Sequence, residues 1–185
     1  MEFLYESLNC RFLPGKVFEK SLGKVYFNNL YFLFHYDQIY NLIKLYKFEG
    51  RLDLAGYFVR FLEKTIDKSI WQGTSLFTFI PNHEKPNNFL LSVMLSERIG
   101  IKFMDLFKVN PSNSQAQHLI KDKNQRIQNA KNKFVLKTEY DFSGLRKLVI
   151  FDDISTTGAS LNEVCKIVKS LNQGIDIDCL VIAKA

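Results

Sequence analysis

The alternation of helical and strand-like patterns along the chain predicts an α/β fold, with a central, mostly parallel sheet flanked by helices. The clearest strand is the apolar run 148–151, which is typical of a parallel strand buried on both faces. Two carboxylates, Asp152 and Asp153, follow this run, and a short turn then leads into a helix predicted over 161–171. Ligands bind where the strands of open α/β sheets end, so this edge is the candidate site.

The N-terminal part is predicted to form a hairpin and then two amphipathic helices. Residues 25–27 and 30–36 have strand composition and are separated by an Asn-Asn pair suited to a tight turn. Asp37 can cap the first helix, which Gly50 can end. Residues 54–65 then repeat apolar side chains at helical spacing, which predicts the second helix.

The remaining elements continue the alternation. Residues 75–80 read as a strand, 92–99 as a helix closed by a glycine, and 102–109 as a further strand. The last strand is predicted over 177–182, after the helix that follows the acidic pair.

The composition predicts one globular domain over 1–185, with 1–36 as its hairpin region. Hydrophobic residues make up 46% and charged residues 24%, which excludes a disordered chain. No apolar run approaches the roughly 18 residues of a membrane span, and the first residues lack the basic region of a signal peptide, so no membrane insertion is expected. The widely spaced Cys10, Cys165 and Cys179 suggest reduced thiols in the cytoplasm, the last two as core residues.

The turn after the acidic pair has the composition of a phosphate site. It consists of Ser155, Thr156, Thr157, Gly158, Ala159 and Ser160. Small residues let backbone amides point into a cavity, and the start of a helix adds partial positive charge. Carboxylates suit hydroxyl groups or a hydrated cation beside that phosphate. A phosphate next to a diol describes a ribose 5-phosphate; the simpler interpretation is a helix cap with two solvated carboxylates.

This segment resembles the signature of the type I phosphoribosyltransferases, which bind phosphoribosyl pyrophosphate (PRPP). An apolar strand, two acids, a short spacer and Thr-Thr-Gly-Ala-Ser match it. Two other stretches are similar to the ComF (ComFC) family of bacterial competence proteins, and the resemblance covers about 36–185. They are Tyr46-Lys47-Phe48-x-Gly50-Arg51 and the spaced residues Gln115, Arg126, Asn129 and Phe134.

The resemblance implies a type I phosphoribosyltransferase-like fold that binds PRPP and, through water, Mg²⁺. In that interpretation Asp152 and Asp153 take the ribose hydroxyls, directly or through the hydrated ion, and residues 155–160 wrap the 5-phosphate. The chain lacks the four-cysteine zinc module found in many ComF proteins, so no zinc is expected. It also has Asn87-Asn88-Phe89-Leu90 at about the place of an expected Arg-Gly-Phe-Asn stretch. Candidate pyrophosphate contacts are Asn82, His83, Lys85, Arg126 and Asn129.

The basic excess of the chain lies in one segment. Residues 102–147 carry ten Lys or Arg against four Asp or Glu, and this excess of six accounts for the whole net charge of +6. Within it, 111–134 combines turn residues with a thin apolar stripe, which predicts a mobile basic flap that closes over the ligand. An exposed connecting helix is the alternative, and the charge would also attract nucleic acid.

Three functions remain open from the sequence. The first is a PRPP-binding ComF protein of natural transformation and DNA uptake, whose acceptor and catalytic output no residue identifies. The second is a nucleobase phosphoribosyltransferase of purine or pyrimidine salvage. The third is a non-catalytic module that binds single-stranded DNA or senses PRPP. Whether the protein is an enzyme is left open, since no catalytic nucleophile or base can be named.

Overall fold

The computed structural model of the protein describes residues 11–12, 22–66, 68–81, 87–113 and 123–185. Its strands and helices follow one another along the chain in the predicted alternation. The strands are β1 (Arg11–Phe12), β2 (Asn29–His35), β3 (Leu76–Phe79), β4 (Phe107–Val109), β5 (Phe134–Leu136), β6 (Lys147–Ser155) and β7 (Asp176–Lys184). The helices are α1 (Tyr36–Lys47), α2 (Leu54–Thr65), α3 (Asn87–Ile99), α4 (Lys123–Ala130) and α5 (Ala159–Leu171).

The central sheet is mostly parallel, as predicted. Within the described residues it has five strands in the order β1-β2-β7-β6-β3. The pairs β2–β7, β7–β6 and β6–β3 are parallel, and only β1 runs antiparallel to its neighbour β2. The short strands β4 and β5 form a separate antiparallel pair. The carboxyl ends of β3, β6 and β7 therefore meet at one edge of the sheet.

Helices cover both faces of the sheet, which explains why its central strands are apolar almost throughout. Side chains of β6 alternate between the two cores, since successive residues of a strand point to opposite faces. Val149 and Phe151 pack in the core shared with α1, α2 and α3, whereas Leu148 and Ile150 pack in the core shared with α5. Among the described helices, none combines the length and apolarity needed to cross a bilayer.

The cysteines of the last helix and last strand lie in the core, as predicted. Cys165 of α5 and Cys179 of β7 are both fully buried, and their Sγ atoms are 3.7 Å apart. Burial and the neighbouring Cys165 raise the pKa of the Cys179 thiol well above its usual value. Both side chains therefore behave as small apolar fillers between the helix and the sheet.

The predicted tight hairpin at 25–36 is wrong, although β2 does have an antiparallel partner. That partner is β1, and residues 25–27 are not a strand. The reason is that Asn28 and Asn29 bind β7 instead of closing a turn. Asn28 donates its backbone N–H to the carbonyl of Ile177 (2.7 Å) and accepts the Ile177 N–H on Oδ1 (2.9 Å). Asn29 Nδ2 donates to Asp178 Oδ1 at 2.7 Å.

Other elements are confirmed with shifted ends. Helix α1 begins at Tyr36, with His35 rather than Asp37 as its cap residue. Helix α3 begins five residues before the predicted 92, at Asn87, and the strand predicted over 102–109 is reduced to 107–109. The largest change concerns β6, which continues to Ser155 because β7 pairs with it over the whole length. The acidic pair thus lies inside the strand.

Candidate functional site

Asp152 and Asp153 do not act as a matched pair, because they belong to a strand rather than to the loop after it. The β6 ladder places Asp152 opposite Val181 and Ser155 opposite Lys184 of β7. Successive strand residues point to opposite faces, so the two carboxylates have different surroundings. The prediction that both follow the strand end is wrong for this reason.

Asp153 forms a buried ion pair with Lys47, the last residue of α1. The Lys47 Nζ lies 2.9 Å from Oδ1 and 2.7 Å from Oδ2 of Asp153. The exposed fraction is 3% for the Asp153 side chain and 22% for that of Lys47. Burial alone would lower the pKa of Lys47, but the charges of Asp153 and Asp152 outweigh it and raise the pKa. The Lys47 ammonium group therefore lies within ion-pair distance of both oxygens of Asp153, although only Oδ1 accepts a hydrogen bond from it.

Asp152 is the less buried of the two carboxylates and accepts two hydrogen bonds. Its Oδ1 accepts a hydrogen bond from Asn88 Nδ2 at 2.8 Å and one from the backbone N–H of Asp153 at 2.9 Å. Burial of the carboxyl group and the adjacent charge of Asp153 raise the pKa of Asp152 to about 8, against the opposing effect of Lys47. This carboxyl group therefore takes up a proton at a higher pH than an ordinary aspartate does.

Asn88 and Lys47 are held in place by one pair of hydrogen bonds between helices. Tyr46 donates its hydroxyl to the Asn87 carbonyl at 2.8 Å, and Asn87 Nδ2 donates to the Tyr46 carbonyl at 3.2 Å. These bonds tie the end of α1 to the start of α3. Asn88 Nδ2 also donates to the carbonyl of Ile80 (3.1 Å), whereas its buried Oδ1 has no partner among the described residues.

The turn after β6 leads directly into α5. Gly158 is the cap residue of this helix and has φ of 73° and ψ of 0°, a left-handed conformation that favours glycine. Its carbonyl accepts from Asn162 N at 2.8 Å, and Thr157 Oγ1 accepts from Ala159 N at 3.3 Å. The Ser155 hydroxyl is buried and has no partner among the described residues. A buried hydroxyl without a partner beside a helix N-terminus suits an anionic ligand.

A second lysine, Lys133, interacts electrostatically with the same site. Lys133 is 8% exposed, and its Nζ is 5.7 Å from the ring centre of Phe134, the first residue of β5. Burial lowers the pKa of Lys133; Asp152 counteracts this effect, and Lys47 adds to it. The Lys133 ammonium group thus interacts electrostatically with Asp152 and with Lys47. The sequence placed Lys133 in the basic segment without relating it to Asp152.

The structure brings together part of the predicted site. Residues 152–160 run from the last part of β6 through the turn to the start of α5. Asn82, His83 and Lys85 lie outside the described residues, as do 114–122 of the predicted flap and the side chain of Arg126. Asn129 lies on α4, which packs against α5. The described part of the flap contains the short helix α4 and ends at the first residue of β5, which pairs with the preceding strand β4.

Two residues of the site, Lys47 and Asn88, were not predicted as such. Lys47 lies within 46–51, a stretch that carried the family resemblance, and Asn88 lies within 87–90, at the place of a family motif from which this chain departs. Their contacts to the acidic pair join residues 106 and 64 positions apart in the chain. From the sequence, only the position of Lys47 and Asn88 within or at the place of family motifs could have indicated that they belong to the site.

Comparisons with known proteins give structural similarity only. No family model matches the chain, and no curated protein sequence matches it. The chain is similar to a purine phosphoribosyltransferase from Pyrococcus horikoshii Ot3, with 17% identity over 71% of this chain and 82% of that chain, at a TM-score of 0.44. It is also similar to the Helicobacter pylori xanthine-guanine-hypoxanthine phosphoribosyltransferase, with 12% identity over 76% and 86% of the two chains, at a TM-score of 0.44.

Proposed function

We propose that this protein binds PRPP and is a phosphoribosyltransferase-like member of the ComF family, acting in the cytoplasm in natural transformation or DNA uptake. The observation that carries the PRPP part is the turn at 155–160, where a buried, unpartnered serine hydroxyl and a left-handed glycine lie at the start of α5. This turn is adjacent to Asp152 on the same strand. The competence role rests on the sequence resemblance alone.

In this proposal each part of the ligand meets a complementary group. The 5-phosphate would accept hydrogen bonds from the Ser155 hydroxyl and from amides at the start of α5, where the helix dipole favours an anion. The ribose hydroxyls would donate to Asp152, whose position is fixed by Asn88. The unpartnered Asn88 Oδ1 is a second acceptor at the same place.

The residues fit the implied Mg²⁺ only in part. The described residues contain no cluster of three or more His, Cys, Asp or Glu side chains that could hold a metal. Asp153 is occupied by Lys47, so Asp152 alone could contact a hydrated ion, with the remaining ligands coming from water and the substrate. When bound, Mg²⁺ would supply neutralisation of the pyrophosphate charge.

The reaction class, if the protein is catalytic, is transfer of a pentosyl group at the anomeric carbon of PRPP. The C1–O bond to pyrophosphate would break, and an acceptor nucleophile would form the new bond to C1. The chain would contribute binding of the 5-phosphate, orientation of the ribose, and positive potential from Lys133 toward the departing pyrophosphate. No described side chain contact identifies the acceptor.

Calorimetric titration with PRPP and Mg²⁺ tests the proposal. We expect PRPP and ribose 5-phosphate both to bind, since they share the phosphate and the diol, and PRPP to bind more tightly. Turnover of PRPP with a panel of purine and pyrimidine bases would identify a salvage enzyme instead. Absence of binding by either phosphate ligand would contradict the proposal.

Replacing Gly158 by valine is expected to abolish binding of both PRPP and ribose 5-phosphate. A β-branched residue disfavours the left-handed conformation, so the turn and the amides at the start of α5 must shift. Gly100 provides a matched control, because it has φ of 68° and an added Cβ would meet nothing within 4 Å. Gly100→Val should carry the same backbone strain yet keep both affinities, as measured by calorimetry. A Gly158→Val protein that loses only PRPP would place the pyrophosphate, not the 5-phosphate, on this turn.

Binding of PRPP is expected to protect amides of α4 and β5 from hydrogen exchange. The reason is that α4 is short and polar and contributes little buried apolar surface, so a ligand beside Lys133 should order it. Exchange measured by mass spectrometry over 123–136, with and without PRPP, checks this. Strong and equal protection in both states would show that this segment is a fixed connecting helix, and steeply salt-dependent binding of single-stranded DNA would assign its charge to nucleic acid.

A further inference from the structure

We propose that the Lys47 ammonium group is the resident cation of Asp153, so that the site offers only one carboxylate, that of Asp152, to a metal ion. The inference deepens the proposed function, because it concerns how the same site meets a ribose phosphate. It predicts that the ligand-free protein does not hold a divalent cation at the acidic pair. It also predicts that a ribose phosphate without pyrophosphate binds independently of metal.

The first argument is the geometry of the ion pair. The Lys47 Nζ lies 2.7 and 2.9 Å from the two oxygens of Asp153, so it contacts the carboxylate on the side from which a cation would approach. The Asp153 side chain is 3% exposed, which leaves no second open side. Mg²⁺ or Mn²⁺ would have to displace the ammonium group to reach either oxygen.

The second argument is that Lys47 is not free to leave. It is the final residue of α1, and the preceding Tyr46 is fully buried and bonded to Asn87 in both directions. The same contacts place Asn88 on Asp152. The contacts between α1 and α3 therefore position both Lys47, which pairs with Asp153, and Asn88, which donates to Asp152. The two carboxylates consequently have different roles.

The third argument concerns charge. Lys47 neutralises the charge of Asp153, so the acidic pair attracts a free divalent cation less than two unpaired carboxylates would. A metal that enters with a pyrophosphate brings oxygen ligands of its own and does not need Asp153.

The test measures Mn²⁺ binding to the ligand-free chain. The electron paramagnetic resonance signal gives the concentration of Mn²⁺ that remains unbound. Lys47→Met vacates the cation position and should bind Mn²⁺ at least about tenfold more tightly than the original chain, because the buried Asp153 carboxylate is left without its cation. The double variant Lys47→Met with Asp153→Asn should lose this gain. Lys44→Met is the matched control: it lies one turn earlier on α1, is exposed, and pairs with Glu49 at 3.6 Å, so Mn²⁺ affinity should not change.

Thermal unfolding covers the case in which Lys47→Met is poorly folded. Added Mn²⁺ should raise the Tm of Lys47→Met and not that of the double variant, which supports the proposal even if folding requires the metal. Equal Mn²⁺ affinity and equal Tm response in the two variants would overturn it. These measurements contain no PRPP, so their outcome is separate from that of the proposed function.

A second measurement examines the ligand side. Ribose 5-phosphate should bind the original chain with the same affinity in EDTA and in excess Mg²⁺, within about twofold. A strict requirement for Mg²⁺ would contradict the assignment of Lys47 as resident cation. Failure of ribose 5-phosphate to bind under either condition would instead contradict the proposed function and leave the Mn²⁺ result to decide on Lys47.

Discussion

Lys47→Met is expected to lower the free energy of unfolding by about 3–5 kcal/mol at neutral pH, the range found when one partner of a buried ion pair is removed. The cause is the uncompensated carboxylate left behind. Asp153 is 3% exposed, so its charge cannot be solvated once the ammonium group is gone. Urea denaturation followed by circular dichroism measures the change.

Two further variants separate the buried charge from other effects of the substitution. Adding Asp153→Asn to Lys47→Met should recover much of the lost stability, because it removes the buried charge. Lys44→Met should cost less than about 1 kcal/mol, since Lys44 and Glu49 form an exposed pair. A similar loss of unfolding free energy in Lys44→Met and Lys47→Met would show that the buried ion pair stabilises the protein no more than the exposed pair does.

The segment from β6 to α5 was predictable because its signals are local. The apolar run, the small-residue turn and the helix periodicity all lie within 147–171, and the structure has a strand, a turn and a helix there. Gly158, within the small-residue turn, has a φ of 73° that favours glycine. Local sequence thus determined the part of the site that is proposed to hold the phosphate.

The division between the two carboxylates was not predictable, because it depends on contacts between distant residues. Whether Asp152 and Asp153 lie in the strand or after it is decided by the length of β7, which pairs with β6 as far as Lys184. Which carboxylate is neutralised is decided by the end of α1, and which is hydrogen-bonded by the start of α3. Nothing in the sequence at the end of α1 or at the start of α3 indicates where these residues lie relative to β6.

The wrongly predicted hairpin also shows that contacts between distant residues can override a local sequence preference. An Asn-Asn pair between two strand-like runs favours a turn locally. In the fold, however, the parallel neighbour β7 offers backbone and carboxylate partners to Asn28 and Asn29. The tertiary partner therefore overrides the turn preference, and residues 25–27 pass along the start of α5 instead. There the Tyr26 N–H donates to Asn162 Oδ1 at 2.8 Å.

Because Asp153 is paired with Lys47, Asp152, which we propose accepts the ribose hydroxyls, has to be changed alone. Asp152→Asn is expected to stabilise the protein at pH 8 while weakening PRPP binding. The folded chain keeps a proton on Asp152 up to about pH 8, whereas the unfolded chain releases it near the ordinary value of 3.8. The stability that this protonation contributes is complete below about pH 4 and is lost as the pH rises through about 8. Asparagine has no such loss.

The expected gain at pH 8 is about 3 kcal/mol, allowing for partial solvation of the group, and it should vanish toward pH 4. Asparagine keeps an Oδ1 that can accept from Asn88, so no hydrogen bond needs to be lost. Unfolding by urea at a series of pH values measures the gain. Asp141→Asn is the control of opposite sign, since hydrogen bonds from Ser143 lower the pKa of that exposed carboxylate, and it should give no stabilisation at pH 8.

In the same variant the affinity for PRPP should fall by about 30-fold, close to 2 kcal/mol, because ribose hydroxyls lose a charged acceptor. A substitution that raises the stability of the fold but weakens ligand binding indicates that the original residue serves function and destabilises the fold. The affinity of the original chain should also rise with pH as Asp152 gives up its proton, and that of Asp152→Asn should not. A variant that loses stability at pH 8, or that keeps full PRPP affinity there, would show that Asp152 is a structural residue and not the acceptor of the ribose hydroxyls.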